Sequence, residues 1–158
     1  MTRHPSALER ELKQTRPFRT PAQEATVAIL RTADGIVRAW NRFFEPHGVT
    51  RQQYNVLRIL RGARGPLATL DIADRLIEQT PAITQLIDRL EAKGLLARER
   101  SQTDRRQVLV AITETGLTLL ADLDEPVDSL DDAAVAGLTA AETRSLIELL
   151  AKVRNQFG

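Results

Sequence analysis

The chain has 158 residues, 42% of them hydrophobic but only 4% aromatic, which suits one domain whose core is aliphatic. No run of about 18 apolar residues occurs, which excludes a membrane-spanning helix, and the basic N-terminus lacks the apolar stretch of a signal peptide, so a cytoplasmic location is expected. The formal net charge is +1 and cysteine is absent, which excludes disulfides, thiolate zinc sites and thiol redox switches.

The small net charge conceals an asymmetry. Residues 1–68 carry 12 basic groups against five acidic ones, a balance of +7, whereas residues 117–158 carry three against eight, a balance of −5. Such a division suits a chain that brings one region to a polyanion and keeps another away from it.

In chain order, residues 1–19 read as a basic extension. Thr20-Pro21-Ala22-Gln23 then has capping-box spacing with proline at the first helical position. The helix it opens carries a stripe of Ile29, Ala33, Ile36, Val37, Trp40 and Phe44, and Pro46-His47-Gly48 ends it. Thr50-Arg51-Gln52-Gln53 is a second capping box, opening a helix through Val56, Leu57 and Leu60 that Gly62 and Gly65-Pro66 close. Thr69 is expected to cap a short helix with Leu70, Ala73, Leu76 and Ile77 inward. Only Glu78-Gln79 separate it from Thr80, expected to cap the next helix with Pro81 at its first position. Two helices joined so closely cross steeply, as in a helix-turn-helix.

Gly94 stops that second helix. Residues 95–100 and 107–112 read as strands, the latter alternating through Val108, Val110 and Ile112, and residues 101–106 supply the turn. Thr113 caps a helix through Leu117, Leu120 and Ala121 that is expected to be interrupted around Pro126. Thr139-Ala140-Ala141-Glu142 is a third capping box, followed by a stripe of Leu146, Leu149, Leu150 and Val153. The predicted fold is mainly α: a winged helix-turn-helix over residues 50–116 with a β-hairpin wing, flanked by helices over 20–49 and 117–158.

At about 100° per residue, Ile83, Leu86, Ile87 and Leu90 fall in one arc, which must be buried. Pro81, Gln85 and Asp88 lie opposite, with Thr84 on one flank and Ala82 and Arg89 on the other. The start of a recognition helix sits deepest in the major groove. There Ala82 and Thr84 offer apolar contacts to thymine methyls, Gln85 offers a bidentate pair to adenine, and Arg89 suits a phosphate. Asp88 fits that face only if an arginine pairs with it. The hairpin tip carries Asp104-Arg105-Arg106 in place of a turn dipeptide such as Asn-Gly, with Arg98 and Arg100 on the strand leading in. Arginines at a projecting tip suit a narrow minor groove. Asp104 is expected to orient the tip by pairing with an arginine, Arg98 first among them. Thr69 and Thr80, at the starts of the two short helices, complete the predicted DNA-contacting set.

These residues resemble the MarR family of bacterial transcription regulators. The resemblance rests on Ile83-Thr84, Leu86-Ile87-Asp88-Arg89-Leu90-Glu91, Lys93-Gly94-Leu95, Asp104-Arg105-Arg106 and Ile112-Thr113, and it extends over about residues 24 to 155. It implies a homodimer formed by the first helix and the last two, a palindromic operator, repression, and release of DNA on binding a small aromatic or phenolic ligand. Many relatives carry arginine where this chain has Gln85, so base preference does not carry over there.

Val27, Leu30, Leu146, Leu149, Leu150 and Val153 are candidate dimer-interface residues, although periodicity leaves open that they complete a monomer core. Trp40, Phe43, Phe44, His47 and Tyr54 are the candidate ligand-binding residues, the alternative being core aromatics and a satisfied histidine. No nucleophile elbow, phosphate-cradling glycine loop or calcium-loop pattern is present, so neither an enzyme nor a metal or cofactor site is expected. The competing expectation is a winged helix that binds protein rather than specific DNA.

Overall fold

The computed structural model describes residues 4–101 and 107–157. Asp104, Arg105 and Arg106 at the expected wing tip lie outside the described residues, as does the expected pairing of Asp104. The chain divides into two compact units, one ending at Gly48 and the other beginning at Val49.

The first unit opens with α1 (Ala7–Glu11), within the stretch read as an extension. Ser6 caps it by a capping box: its hydroxyl accepts from the Glu9 amide at 3.2 Å, and the Glu9 carboxylate accepts from the Ser6 amide at 2.7 Å. The other Glu9 oxygen accepts from the amide of Phe18 at 2.9 Å, folding the chain back on itself. Helix α2 (Pro21–Phe44) follows, capped by Thr20, whose hydroxyl accepts from the Gln23 amide at 3.1 Å, but the expected box does not close, because the Gln23 side chain accepts from the Arg19 amide at 2.9 Å instead. An ion pair of 2.8 Å between Arg31 and Glu11 ties α2 to the end of α1. Phe44 is wholly buried, but Ile29, Leu30 and Ile36 stay exposed, so much of the α2 apolar stripe has no cover within the chain. A 3-10 turn at Glu45–His47 and the left-handed Gly48, φ +69°, end the unit.

The second unit begins with α3 (Arg51–Gly62), held by the predicted Thr50–Gln53 capping box. Val56, Leu57 and Leu60 are at its buried face, as their spacing requires. Then come β1 (Leu67–Ala68), α4 (Thr69–Ala73), α5 (Ile83–Ala92), β2 (Leu96–Arg100), β3 (Val108–Ile112), α6 (Glu114–Val135) and α7 (Ala140–Arg154). The described strands pair antiparallel in the order β1-β3-β2, with Leu96 opposite Ile112 and Leu67 opposite Val110. Strand β1 was not anticipated, because two residues are too few to show alternation.

Four local expectations are corrected. Thr69 is the first residue of α4 rather than its cap; Ala68, extended and paired in β1, occupies the cap position and offers no side-chain acceptor. Thr80 does not cap α5, which begins at Ile83; its hydroxyl accepts from the Ala82 amide at 3.2 Å and closes a tight turn around Pro81. Leu70 and Ile77 face outward, at 75% and 67% exposure, and Ile72 is the buried residue of α4. Ile77 lies beyond the end of α4 at Ala73, where the helical period no longer applies, and within α4 the buried side falls to Ile72 and leaves Leu70 outside. Finally, α6 runs through Pro126 without interruption. Proline leaves the carbonyl four residues back without its helical donor. That carbonyl belongs to the exposed Asp122, where water can serve it, and buried Leu120, Leu123 and Val127 hold the helix on both sides.

Where α6 starts, the packing is tight. Thr113 accepts from the Gly116 amide at 3.1 Å as the cap and donates its hydroxyl to the Gly94 carbonyl at 2.7 Å. The Thr113 amide donates to the Leu95 carbonyl at 3.2 Å. The end of α5 is thereby fastened to the first turn of α6. At the far end, Thr139 and Glu142 form the predicted capping box of α7. None of the α7 residues is buried, and Leu146, Ile147, Leu149 and Val153 are exposed.

Candidate nucleic-acid interface

Helix α5 divides as its periodicity predicts. Ile83, Leu86, Ile87 and Leu90 are buried, while Pro81, Ala82, Thr84, Gln85, Asp88 and Arg89 are all exposed. Burying four aliphatic side chains at roughly 1.5–3 kcal/mol each fixes the rotation of the helix about its axis. The outward row is then determined as a consequence of the core. Thr69 and Thr80, in the candidate set for their place beside α5, are half-buried, and Thr80 spends its hydroxyl on the turn.

Several polar contacts fix the helix-turn-helix to α3. Glu78, in the turn between α4 and α5, pairs with Arg51 at 2.6 Å and accepts from the Gln52 side-chain amide at 3.3 Å. The Ile77 amide donates to the Asn55 side chain at 3.2 Å. The Arg51 guanidinium holds the Glu78 carboxyl below the usual carboxylate range, and hydrogen bonding is the main cause. Lys93 donates to Gln53 at 3.0 Å, joining the end of α5 to the start of α3. At the other end of α3, Arg61 grips Asp124 of α6 through two hydrogen bonds of 2.8 Å, a bidentate geometry that pulls the carboxyl pKa down. The sequence pattern gave no sign of either pair, since their partners are 27 and 63 positions apart and no local pattern joins them.

At the wing base, the described partners of Arg98 lie on α5. Arg98 of β2 pairs with Asp88 and with Glu91, both on α5, using one terminal nitrogen for each. Its backbone amide also donates to Glu91, at 3.2 Å. Asp88 therefore has the arginine partner its outward position called for, and that partner lies on the wing strand. Glu91 falls three residues after Asp88, one turn along the same face, and the left-handed Gly94, φ +69°, returns the chain so that Arg98 lies beside them. Among the described residues, no ion pair holds Arg89 or Arg100, which stand exposed on either side of this cluster.

The candidate ligand residues belong to both units. Trp40, Phe43, Phe44 and His47 cluster at the end of the first unit, with ring centroids 5.7 Å apart for Trp40 and Phe44, 4.9 Å for Phe43 and Phe44, and 5.0 Å for Phe43 and His47. Tyr54 belongs to the second unit, is 2% exposed, and has the Arg58 guanidinium 5.9 Å from its ring centre. Burial pushes its phenol pKa up. Phe44 and Tyr54 are packed core side chains, whereas His47 is exposed and Trp40 and Phe43 are half-buried.

Among the described residues no helix is long and apolar enough to cross a membrane, and no cluster of acidic and histidine side chains fits a metal ion.

The profile of the MarR family matches residues 49–108, the segment from the start of α3 into the wing. The curated regulator TtmR of Methylorubrum extorquens is 32% identical over 130 residues, covering 82% of this chain and 65% of its own length, so the chain spans just under two thirds of that relative. A MarR transcription factor of Planctomyces limnophilus is 41% identical, with a TM-score of 0.66 over 85% of this chain and 98% of that one. A mutant MarR of E. coli, solved in complex with operator DNA, is 27% identical with a TM-score of 0.76, covering 94% and 99% of the two chains. With the helix-turn-helix, the wing strands and the outward row of α5 in place, the chain belongs to the MarR family of winged helix-turn-helix transcription regulators.

Proposed function

We propose that this regulator acts as a homodimer on a palindromic operator and represses transcription there, with α5 in the major groove and the Arg105-Arg106 tip along the adjacent minor groove. The observation that carries the reading is the row Ala82, Thr84, Gln85 and Arg89, exposed together along one side of a helix whose other side is locked into the core. The E. coli relative seated on operator DNA supports the same use of the fold. Gln85 is the side chain suited to adenine, and Arg89 and Arg100 are the exposed cations suited to phosphate.

The dimer reading rests on α7, where Leu146, Ile147, Leu149 and Val153 leave an apolar face uncovered, and on Leu30 of α2, which is 66% exposed. A completed monomer core would have buried these side chains, and an exposed stripe of this kind marks an association surface. The division proposed for the chain is therefore a DNA-reading part over residues 50–116 and association helices over 20–49 and 117–158. A small aromatic ligand that shifts the spacing of the two recognition helices would release DNA. Trp40, Phe43 and His47 are the side chains of the candidate set accessible enough to meet one, while Phe44 and Tyr54 act as core.

The test is a selection of bound fragments from random duplex DNA with purified protein near physiological salt, together with its mass in solution. A palindrome with half-sites about 34–36 Å apart and a dimeric mass are expected. Sequence-blind or absent binding would favour a protein-docking winged helix instead.

A further inference from the structure

An arginine on the wing strand, paired to the recognition helix, is poorly placed to serve as a DNA contact. Each terminal nitrogen of Arg98 is bound to a carboxylate, one to Asp88 and one to Glu91, and its backbone amide is bound to Glu91 as well. The three side chains together carry one positive and two negative charges, so the cluster as a whole repels phosphate. To reach a phosphate, Arg98 would have to leave two carboxylates behind unpaired on the face that meets the polyanion. From this geometry we infer that Arg98 is a positioning residue: it acts as a strut that sets the wing strand against the recognition helix, and it makes no phosphate contact of its own.

The chemistry of the group fits the task. A guanidinium is a planar fork that can hold two carboxylates at once in a fixed orientation, and an ammonium cannot. The carboxylates sit one turn apart on α5, so the fork resists rotation of β2 about the helix as well as separation from it. Asp88 is 55% exposed and Glu91 38%, and the Arg98 side chain lies beneath them at 28%. Arg89 and Arg100, exposed and unengaged by any described carboxylate, remain to bind phosphate.

The inference rests on the DNA-binding reading proposed above, and salt dependence separates the two. Affinity for a selected duplex is measured against salt concentration for wild type, Arg98→Ala, Arg98→Lys and Arg89→Ala, with thermal melting to establish that each folds. For a strut, Arg98→Lys, which keeps the charge, weakens binding about threefold to tenfold at every salt concentration and leaves the slope of log affinity on log salt unchanged, and Arg98→Ala weakens binding at least as much. Arg89→Ala flattens that slope by about 0.9, the signature of one lost phosphate contact. The inference is overturned if Arg98→Lys binds like wild type, if Arg98→Lys changes the slope, or if neither Arg98 variant affects binding. Arg98→Lys keeps the charge and the aliphatic stem, so it decides the question should Arg98→Ala fail to fold. Wild-type protein that binds no duplex at any salt concentration would remove the DNA-binding reading itself, and this inference with it.

Discussion

Gly116 sits where the end of the recognition helix meets the first turn of α6, and a single methyl group there tests whether that junction is as tight as it looks. A Cβ at this position would lie 2.2 Å from the Leu95 carbonyl oxygen and 2.8 Å from a side-chain carbon of Ile112. Real Cβ atoms essentially never approach closer than 3.0 Å, so the backbone must open by at least 0.8 Å. Ile112 can give by rotating, but Leu95 cannot easily do so. Its carbonyl accepts from the Thr113 amide at 3.2 Å, and the neighbouring Gly94 carbonyl is held by the Thr113 hydroxyl at 2.7 Å. Relieving the clash therefore stretches or breaks bonds that fasten α5 to α6. Overpacking of this kind costs roughly 1–3 kcal/mol, and a lost backbone hydrogen bond about 1 kcal/mol more. Against that, alanine is favoured over glycine in a helix by up to about 1 kcal/mol. The net expectation for Gly116→Ala is a loss of about 2 kcal/mol, which for a chain of this size lowers the melting temperature by roughly 4–8 °C. Melting by circular dichroism at one fixed protein concentration is the assay, since the melting point of any self-associating protein moves with concentration. An unchanged or raised melting temperature would mean that helix propensity outweighs the contact, and the close approach would not be a constraint on the fold.

Three further outcomes are expected. Leu149→Arg, placing a charge in the centre of the exposed α7 stripe, should shift the mass in solution from dimer to monomer and abolish tight operator binding; a variant that remains dimeric would remove α7 from the interface. Because the Arg61 pair depresses the folded-state pKa of Asp124, its stabilisation is complete above the unfolded carboxylate value and is lost as pH falls through the lower folded value. Asp124→Asn should thus be less stable than wild type near neutrality, by no more than about 1 kcal/mol given the exposure of the pair, and the difference should shrink as pH falls through the lowered folded-state value; urea titrations at several pH values would read this, and a gap that persists in acid would contradict it. Thr139→Ala should fray the start of α7 and cost about 1 kcal/mol, seen as faster amide exchange in residues 140–143 alone; protection left unchanged there would mean the cap contributes little.

Much of the fold was legible from local signals. Thr20, Thr50, Thr113 and Thr139 each precede a helix in sequence and cap one in the structure, because a hydroxyl at that place has one good use: to accept from the amide three residues on. Thr69 and Thr80 carry the same residue type and do not cap. At Thr69 the chain is already helical as it leaves β1, and at Thr80 the hydroxyl serves a turn two residues long. Residue type alone does not distinguish these cases. The capping box at Ser6-Ala7-Leu8-Glu9 was readable by the same rule and marks α1, which the basic composition of the surrounding segment obscured.

The buried arc of α5 was legible because four aliphatic residues repeat at helical spacing, and the outward row followed from it by exclusion. The partner of Asp88 was foreseen as an arginine, but Arg98, on the strand leading into the tip, was expected first as a partner of Asp104. The competing carboxylate, Glu91, joins the cluster only after Gly94 turns the chain back, a three-dimensional fact that no spacing rule contains. Pro126 misled for a similar reason: its local penalty is real, and long-range burial of Leu120, Leu123 and Val127 outweighs it.

The central claim is that α5 reads bases through its outward row. The most direct measurement compares wild type and Gln85→Ala on a series of selected operators, each with one symmetric pair of base pairs replaced. If Gln85 pairs with an adenine, wild type loses roughly 1–3 kcal/mol per half-site when that base pair is changed, while Gln85→Ala becomes indifferent to that position and keeps its discrimination elsewhere. A variant that binds every operator in the series more weakly by the same factor, with its preference at each position intact, would contradict the placement of α5 in the groove.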